Sequence, residues 1–141
     1  VLALRASKSM LLDPEDENGR SVGSFFTNPI LPGGEVERVR TLALRDGMIE
    51  EPSELPVYPV PGAKGVHKLS AAWLIERSGI AKGTRRESVG VSSRHTLALV
   101  HHGGGSTSDL LALAHDLQQR VMDAFGVTLE AEPNLMGNIR L

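Results

Sequence analysis

The chain has 141 residues, fifteen lysines and arginines against seventeen aspartates and glutamates, and no cysteine. That length suits one domain burying a single core without disulfides or a structural metal. The near-cancelled charge, broken only by the acidic run at 13–17 and the basic cluster at 82–86, argues against a broad basic face for nucleic acid, and the lack of cysteine removes thiolate chemistry and Cys-based zinc sites. No apolar run approaches the roughly 20 residues that cross a bilayer, and the first residues lack the basic-then-apolar order of a secretory signal; a soluble, cytoplasmic protein with no membrane partner is expected.

In chain order, Val1-Leu2-Ala3-Leu4 reads as a strand with neither an initiating methionine nor a cap, which points to a piece cut at its amino end from something longer. Residues 10–12 read as extended or irregular. Residues 13–20 collect turn formers and charge with nothing to bury, a solvated loop. Phe25, Phe26, Ile30 and Leu31 follow, but Pro29 removes a ladder donor and Pro32-Gly33-Gly34 stops the segment, so any strand here is short or at an edge. From 35 to 45, Val36, Val39, Leu42 and Ala43 recur at three- and four-residue steps, a surface helix ended by Gly47. Pro52, Pro56, Pro59 and Pro61 leave room only for a brief extended piece at Val57 and Tyr58, and 62–65 is loop.

Residues 69–75 are apolar nearly all round, with Trp73 at the centre and Gly79 placed for a left-handed end, which predicts a buried helix. Residues 89–91 and 96–100 predict two strands joined by a turn. After Gly103-Gly104-Gly105, Ser106 and Asp109 stand as a cap and its shorter capping-box acid, and Leu110, Leu113, Ala114, Leu117, Val121 and Phe125 form one stripe, a third helix ended by Gly126. Val127, Leu129 and Ala131 then alternate with Thr128, Glu130 and Glu132, so a last strand should turn Glu132 away from the core residues. The pattern predicts an α+β fold: a small antiparallel or mixed sheet with about three helices packed mainly on one face, residues 1–141 forming a single domain and 1–22 a linker or edge segment leading into it.

On residue chemistry alone, Gly23-Ser24-Phe25-Phe26 reads either as a strand start with a capping serine or as a hydroxyl held over a pocket by buried rings, and Glu132 either as an exposed strand acid or as a ligand-facing carboxylate. His101-His102 is a poor metal pair, because adjacent strand residues face opposite ways. Gly103-Gly104-Gly105 lacks the Gly-Lys-Ser/Thr ending of a nucleotide phosphate loop and reads as a permissive turn.

Four ordered segments carry a family resemblance: Gly23-Ser24-Phe25-Phe26-Thr27-Asn28-Pro29, KLSAAWLIERSG from Lys68, GGGSTSDLLALA from Gly103, and Leu129-Glu130-Ala131-Glu132-Pro133. Together the chain resembles the C-terminal substrate-binding domain of MurB, UDP-N-acetylenolpyruvoylglucosamine reductase, and its Glu-Pro ending followed by Leu-Met-Gly is similar to actinobacterial members. The resemblance implies part of an FAD-dependent, NADPH-using oxidoreductase that reduces UDP-N-acetylglucosamine enolpyruvate to UDP-N-acetylmuramate for peptidoglycan, and so serves cell wall biogenesis, cell shape and cell division. It implies that FAD is bound by an N-terminal region absent from this chain, that this domain alone holds no cofactor and is inactive, and that its partners are the sugar nucleotide and that FAD-binding region.

By the same resemblance Ser24 is the proton donor to the carbon beside the substrate carboxylate, and Glu132 the carboxyl group at the resulting enolate, where burial would favour its protonated form. Lys8 and Asn28 match diphosphate contacts, Lys82 a further substrate-contacting lysine, and His95 a position held by glutamine or histidine. Without it, Lys8 is a surface lysine, Asn28 a turn residue before proline and His95 a turn residue satisfied by backbone. Thr27 stands where the family often has lysine, and Pro133-Asn134-Leu135 where many relatives carry a hydrophobic residue followed by arginine. The competing reading is a stand-alone binding module for nucleotide sugars or similar anions, with no catalysis.

Overall fold

The computed structural model describes residues 4, 7, 9, 13 and 15–136, and Lys8 lies outside them. Among the described residues the chain builds two antiparallel sheets and three α-helices: β1 (Ser21–Ser24), β2 (Ile30–Pro32), α1 (Gly33–Arg45), β3 (Val57–Pro59), β4 (Val66–Leu69), α2 (Ala71–Arg77), β5 (Arg85–Arg86), β6 (Val89–Val91), β7 (Ala98–His101) and α3 (Thr107–Phe125). Strands β1-β7-β6-β5 form the larger sheet and β2-β4-β3 the smaller one, with every pairing antiparallel. The α+β class expected from the sequence holds, with two sheets in place of one.

Helix α3 packs on β6, β7 and α2, while α1 packs on β2 and β4. The stripe predicted for α3 is the buried one: Leu113, Ala114, Leu117, Val121 and Phe125 are all at most 1% exposed. Its start is the reciprocal cap read from sequence, in which Asp109 N–H donates to Ser106 Oγ and Ser106 N–H donates to the Asp109 carboxylate at 2.7 Å. Its end turns left-handed at Gly126 (φ 62°), which leaves the helix ready to feed an extended segment. In α1, Val36, Val39 and Ala43 are buried as the spacing predicted.

Three expectations are corrected. Leu69 belongs to β4, and the second helix begins only at Ala71, because the Ser70 hydroxyl accepts from Trp73 N–H and caps it there. Trp73 is half-buried at the core edge, its ring 5.7 Å from that of Phe125 and 5.8 Å from the Arg77 guanidinium carbon. At the amino end, Leu4 is helical where the end of a strand was expected. The 13–20 loop is also more than a solvated run, since Asn18 is 5% exposed and clasps a turn 75 positions away: its Nδ2 donates to Ser93 Oγ at 3.2 Å and its Oδ1 accepts from Ser93 N–H at 3.0 Å.

Phe25 and Phe26 occupy the junction between the sheets, 2% and 1% exposed, their rings packed edge to face with centroids 5.1 Å apart. Consecutive buried residues need cover on both sides of the chain. Their main chain is tied on both edges: Phe25 N–H donates to the Leu97 carbonyl at 2.7 Å, and Phe26 forms an isolated antiparallel bridge with Ala131. The strand predicted after Gly126 is therefore a single rung, yet its alternation holds, with Val127 and Leu129 buried and Thr128, Glu130 and Glu132 exposed.

Candidate functional site

Strand β1 is broken where the site begins. Ser21 faces Val100 and Ser24 faces Ala98, so three steps on one strand match two on the other, and the extra residue is accommodated by Gly23 at φ 85°. A Cβ at Gly23 would meet nothing within 4 Å, so the requirement there is for the dihedral angle, not for space. This bulge sets the direction of Ser24, which is half-buried and lines an open cleft of about 780 Å³.

The cleft runs between the two sheets. Ser24, Phe26 and Leu97 line it together with Thr128, Glu130 and Glu132 of the segment after α3, and Asn28, Ile30 and Lys68 complete it from the small sheet and its lead-in. Ser24 and Glu132, more than a hundred positions apart in sequence, thus open on one hollow. Backbone bonds fix their relation: Glu132 N–H donates to the Phe25 carbonyl at 2.9 Å, and Thr27 N–H donates to the Glu130 carbonyl at 3.0 Å. Glu132 is exposed at the rim, and the burial expected for it is not supplied by this domain.

Asn28 is held by one end of its amide. Its Oδ1 accepts from Ala71 N–H at 2.8 Å, which satisfies a free donor at the start of α2 and leaves the Nδ2 donors for the cleft that the residue lines. Lys82 and His95 are placed elsewhere. Lys82 Nζ lies 3.6 Å from the Glu76 carboxylate, which also accepts from the buried Thr96 hydroxyl, and His95 braces the turn before β7 by accepting from Leu97 N–H at 3.1 Å. Neither lines the cleft, although Leu97 beside His95 does.

The residue that sequence reasoning passed over is Lys68. It is the cation among the residues lining the cleft, and among the described residues it makes no ion pair. It sits on β4 in register with Ile30 on one side and Tyr58 on the other. No alternation announces it, since Val66, His67, Lys68 and Leu69 place two polar residues side by side and Leu69 also begins the apolar run that predicts a helix.

The glycine turn before α3 offers no dinucleotide phosphate cradle. A Cβ at Gly105 would collide with the Ser88 hydroxyl and stand 2.8 Å from Ser88 Cβ, and the His101 ring accepts from Gly103 N–H at Nδ1 (3.1 Å) while its Nε2 lies 3.0 Å from the Gly105 carbonyl. With Gly103 N–H already engaged by the His101 ring, the turn does not present the row of free backbone donors that a phosphate cradle uses. Among the described residues no cluster of three or more His, Cys, Asp or Glu could hold a metal ion, and no helix is long and apolar enough to cross a membrane.

The chain is an α+β domain whose two sheets flank an open cleft, with a hydroxyl, two carboxylates, an amide donor and an ammonium on its walls. Residues 13–136 match the family described as UDP-N-acetylenolpyruvoylglucosamine reductase, C-terminal domain, and the chain belongs to that family. Among curated proteins it is 49% identical over 137 residues to the UDP-N-acetylenolpyruvoylglucosamine reductase of Thermobifida fusca, covering 97% of this chain and 37% of the relative. It is 48% identical over 138 residues to that of Streptomyces coelicolor (97% and 35%) and 45% identical over 139 residues to that of Corynebacterium diphtheriae (97% and 34%). The chain thus spans about a third of the length of these relatives.

Proposed function

We propose that this chain is the substrate-binding and proton-donating domain of a reductase that converts UDP-N-acetylglucosamine enolpyruvate to UDP-N-acetylmuramate in the cytoplasm, for peptidoglycan synthesis. The observation that carries this reading is the cleft shared by Ser24 and Glu132 and pinned by the Glu132 N–H to Phe25 carbonyl bond. FAD, held outside this domain and reduced by NADPH, supplies the hydride when bound.

Within this domain, Ser24 holds a proton beside the carbon that gains negative charge, and gives it to that carbon. A serine hydroxyl is a very weak acid, so it can serve only against a strongly basic carbanion at short range, with its position fixed in advance; the Gly23 bulge and the buried rings of Phe25 and Phe26 supply that fixation. Glu132 meets the substrate carboxylate as charge builds there. A carboxyl group helps there only when protonated or paired. Lys68 and the Asn28 amide face the anionic part of the ligand, one as a mobile point charge and the other as a directed donor.

Ser24→Ala in the full-length protein tests the assignment. Loss of a general acid is expected to slow substrate reduction by about 10²–10⁴-fold, with flavin reduction by NADPH and affinity for the sugar nucleotide unchanged. Turnover equal to wild type would remove Ser24 from the chemistry, and a change confined to affinity would favour a non-catalytic binding module.

A further inference from the structure

The acid-bearing segment after α3 belongs to neither sheet. Facing β1 and its continuation, it is tied through the Glu130 carbonyl, which accepts from Thr27 N–H, and through Glu132 N–H, which donates to the Phe25 carbonyl. In an extended chain the carbonyls alternate in direction, so the Leu129 carbonyl points to the opposite edge, where no strand waits. Leu129 is fully buried, and an unpartnered carbonyl there would be costly. The side chain of Gln118, half-buried on the fourth turn of α3, donates from Nε2 to the Leu129 carbonyl at 2.7 Å. Among the described residues this is the bond that ties residues 127–132 to α3 on that edge.

We propose that Gln118 is a positioning residue for the reaction: its amide replaces a missing neighbouring strand and holds the Leu129 to Glu132 stretch in the register that brings the Glu132 carboxylate to Ser24 across the cleft. The inference rests on the proposed function above. Without the Gln118 bond the segment keeps its rung to Phe25 but can pivot about it, because a single bridge with two flanking bonds resists sliding better than rotation. A shift of the order of 1 Å at the reacting groups is enough to lower a rate about a hundredfold. Gln118 touches neither substrate nor cofactor in this arrangement, and its effect passes through Leu129.

The test uses the full-length enzyme and separates its two half-reactions by stopped flow. Gln118→Met keeps the volume and removes the donor; Gln118→Arg restores donors of sufficient reach. Gln118→Met is expected to slow flavin reoxidation by UDP-N-acetylglucosamine enolpyruvate about ten- to a hundredfold, to leave flavin reduction by NADPH unchanged, and to speed hydrogen exchange at the Thr27 and Glu132 amides. Gln118→Arg should recover most of the reoxidation rate. Wild-type reoxidation in Gln118→Met would overturn the proposal, and so would an equal slowing of both half-reactions accompanied by a lowered melting temperature, which marks a general structural role. Should Gln118→Met not fold, Gln118→Glu, which puts an acceptor against the Leu129 carbonyl, is read by the same criteria. Failure of the wild-type protein itself to reduce the sugar nucleotide would instead sink the functional reading, and the exchange data would then decide alone whether Gln118 holds the segment.

Discussion

Asn28 has a planar amide with two ends, and only one is committed within the domain. Because Oδ1 caps Ala71 N–H, the roles of cap and ligand donor can be separated by substitution. Asn28→Asp keeps an acceptor at the start of α2, where negative charge is favoured, but loses the Nδ2 donor and brings a third carboxylate beside Glu130 and Glu132. Thermal denaturation should show no loss of stability, while calorimetric titration with the sugar nucleotide should show affinity reduced by an order of magnitude or so, the scale of one lost hydrogen bond to a charged group. Asn28→Ala should lose both, with stability down by about 1 kcal/mol. Gly105 makes a second residue-scale case, one of space and not dihedral. Gly105→Ala drives a methyl into Ser88, and such overpacking costs about 1–3 kcal/mol; denaturant titration should show that loss, and adding Ser88→Gly should recover part of it because the colliding atoms are gone.

Among the elements, α3 is the best determined by its own sequence. The stripe from Leu113 to Phe125, the Ser106/Asp109 cap and the Gly126 end each state the same helix, which is why it could be read without tertiary information. The cap also gives a pH dependence with a definite sign. Hydrogen bonds from the Ser106 backbone N–H, and then from its hydroxyl, hold the Asp109 carboxyl below the usual aspartate value. A depressed folded value means the contribution is present above the unfolded value and is lost as pH falls through the folded one. The difference in melting temperature between wild type and Asp109→Asn should therefore be full at neutral pH and vanish in acid, below the ordinary aspartate range. A difference that persisted unchanged at low pH would remove the charge from the account. By contrast β4 was hidden, since four residues are too few to fix a period and Leu69 satisfies both a strand and the helix that follows. Strand β5 has two exposed arginines and no pattern at all; its existence depends on β6 folding back against it, with Gly90 passing close to the Thr84 carbonyl.

For the molecule as a whole, the core is one cluster that reaches from Val39 on α1 through Leu69 and Leu74 to Leu117 and Val121 on α3. The two sheets are therefore expected to melt together. Leu117→Ala should cost about 2–5 kcal/mol, and its unfolding curves by far-ultraviolet circular dichroism and by Trp73 fluorescence should coincide; separate midpoints would mean two independent folding units. The class of fold and the two segments that form the cleft were legible because local spacing and ordered motifs declare them. What escaped were relations between distant positions: the Asn18 clasp on Ser93 and Lys68 on the cleft wall, each of which depends on chain crossings that no local period encodes.

The rung between Phe25 and Glu132 has one more consequence. Since the residue next to the alcohol and the acid itself are stitched together through main-chain atoms, with the Gln118 amide as their brace, the gap separating those two groups does not depend on which other side chains line the trough. Diversification of ligand preference in such a scaffold would have to happen at the far end of the trough, around Ile30 and Lys68, where the walls are built from interchangeable side chains, while the reactive end stays at a constant gauge.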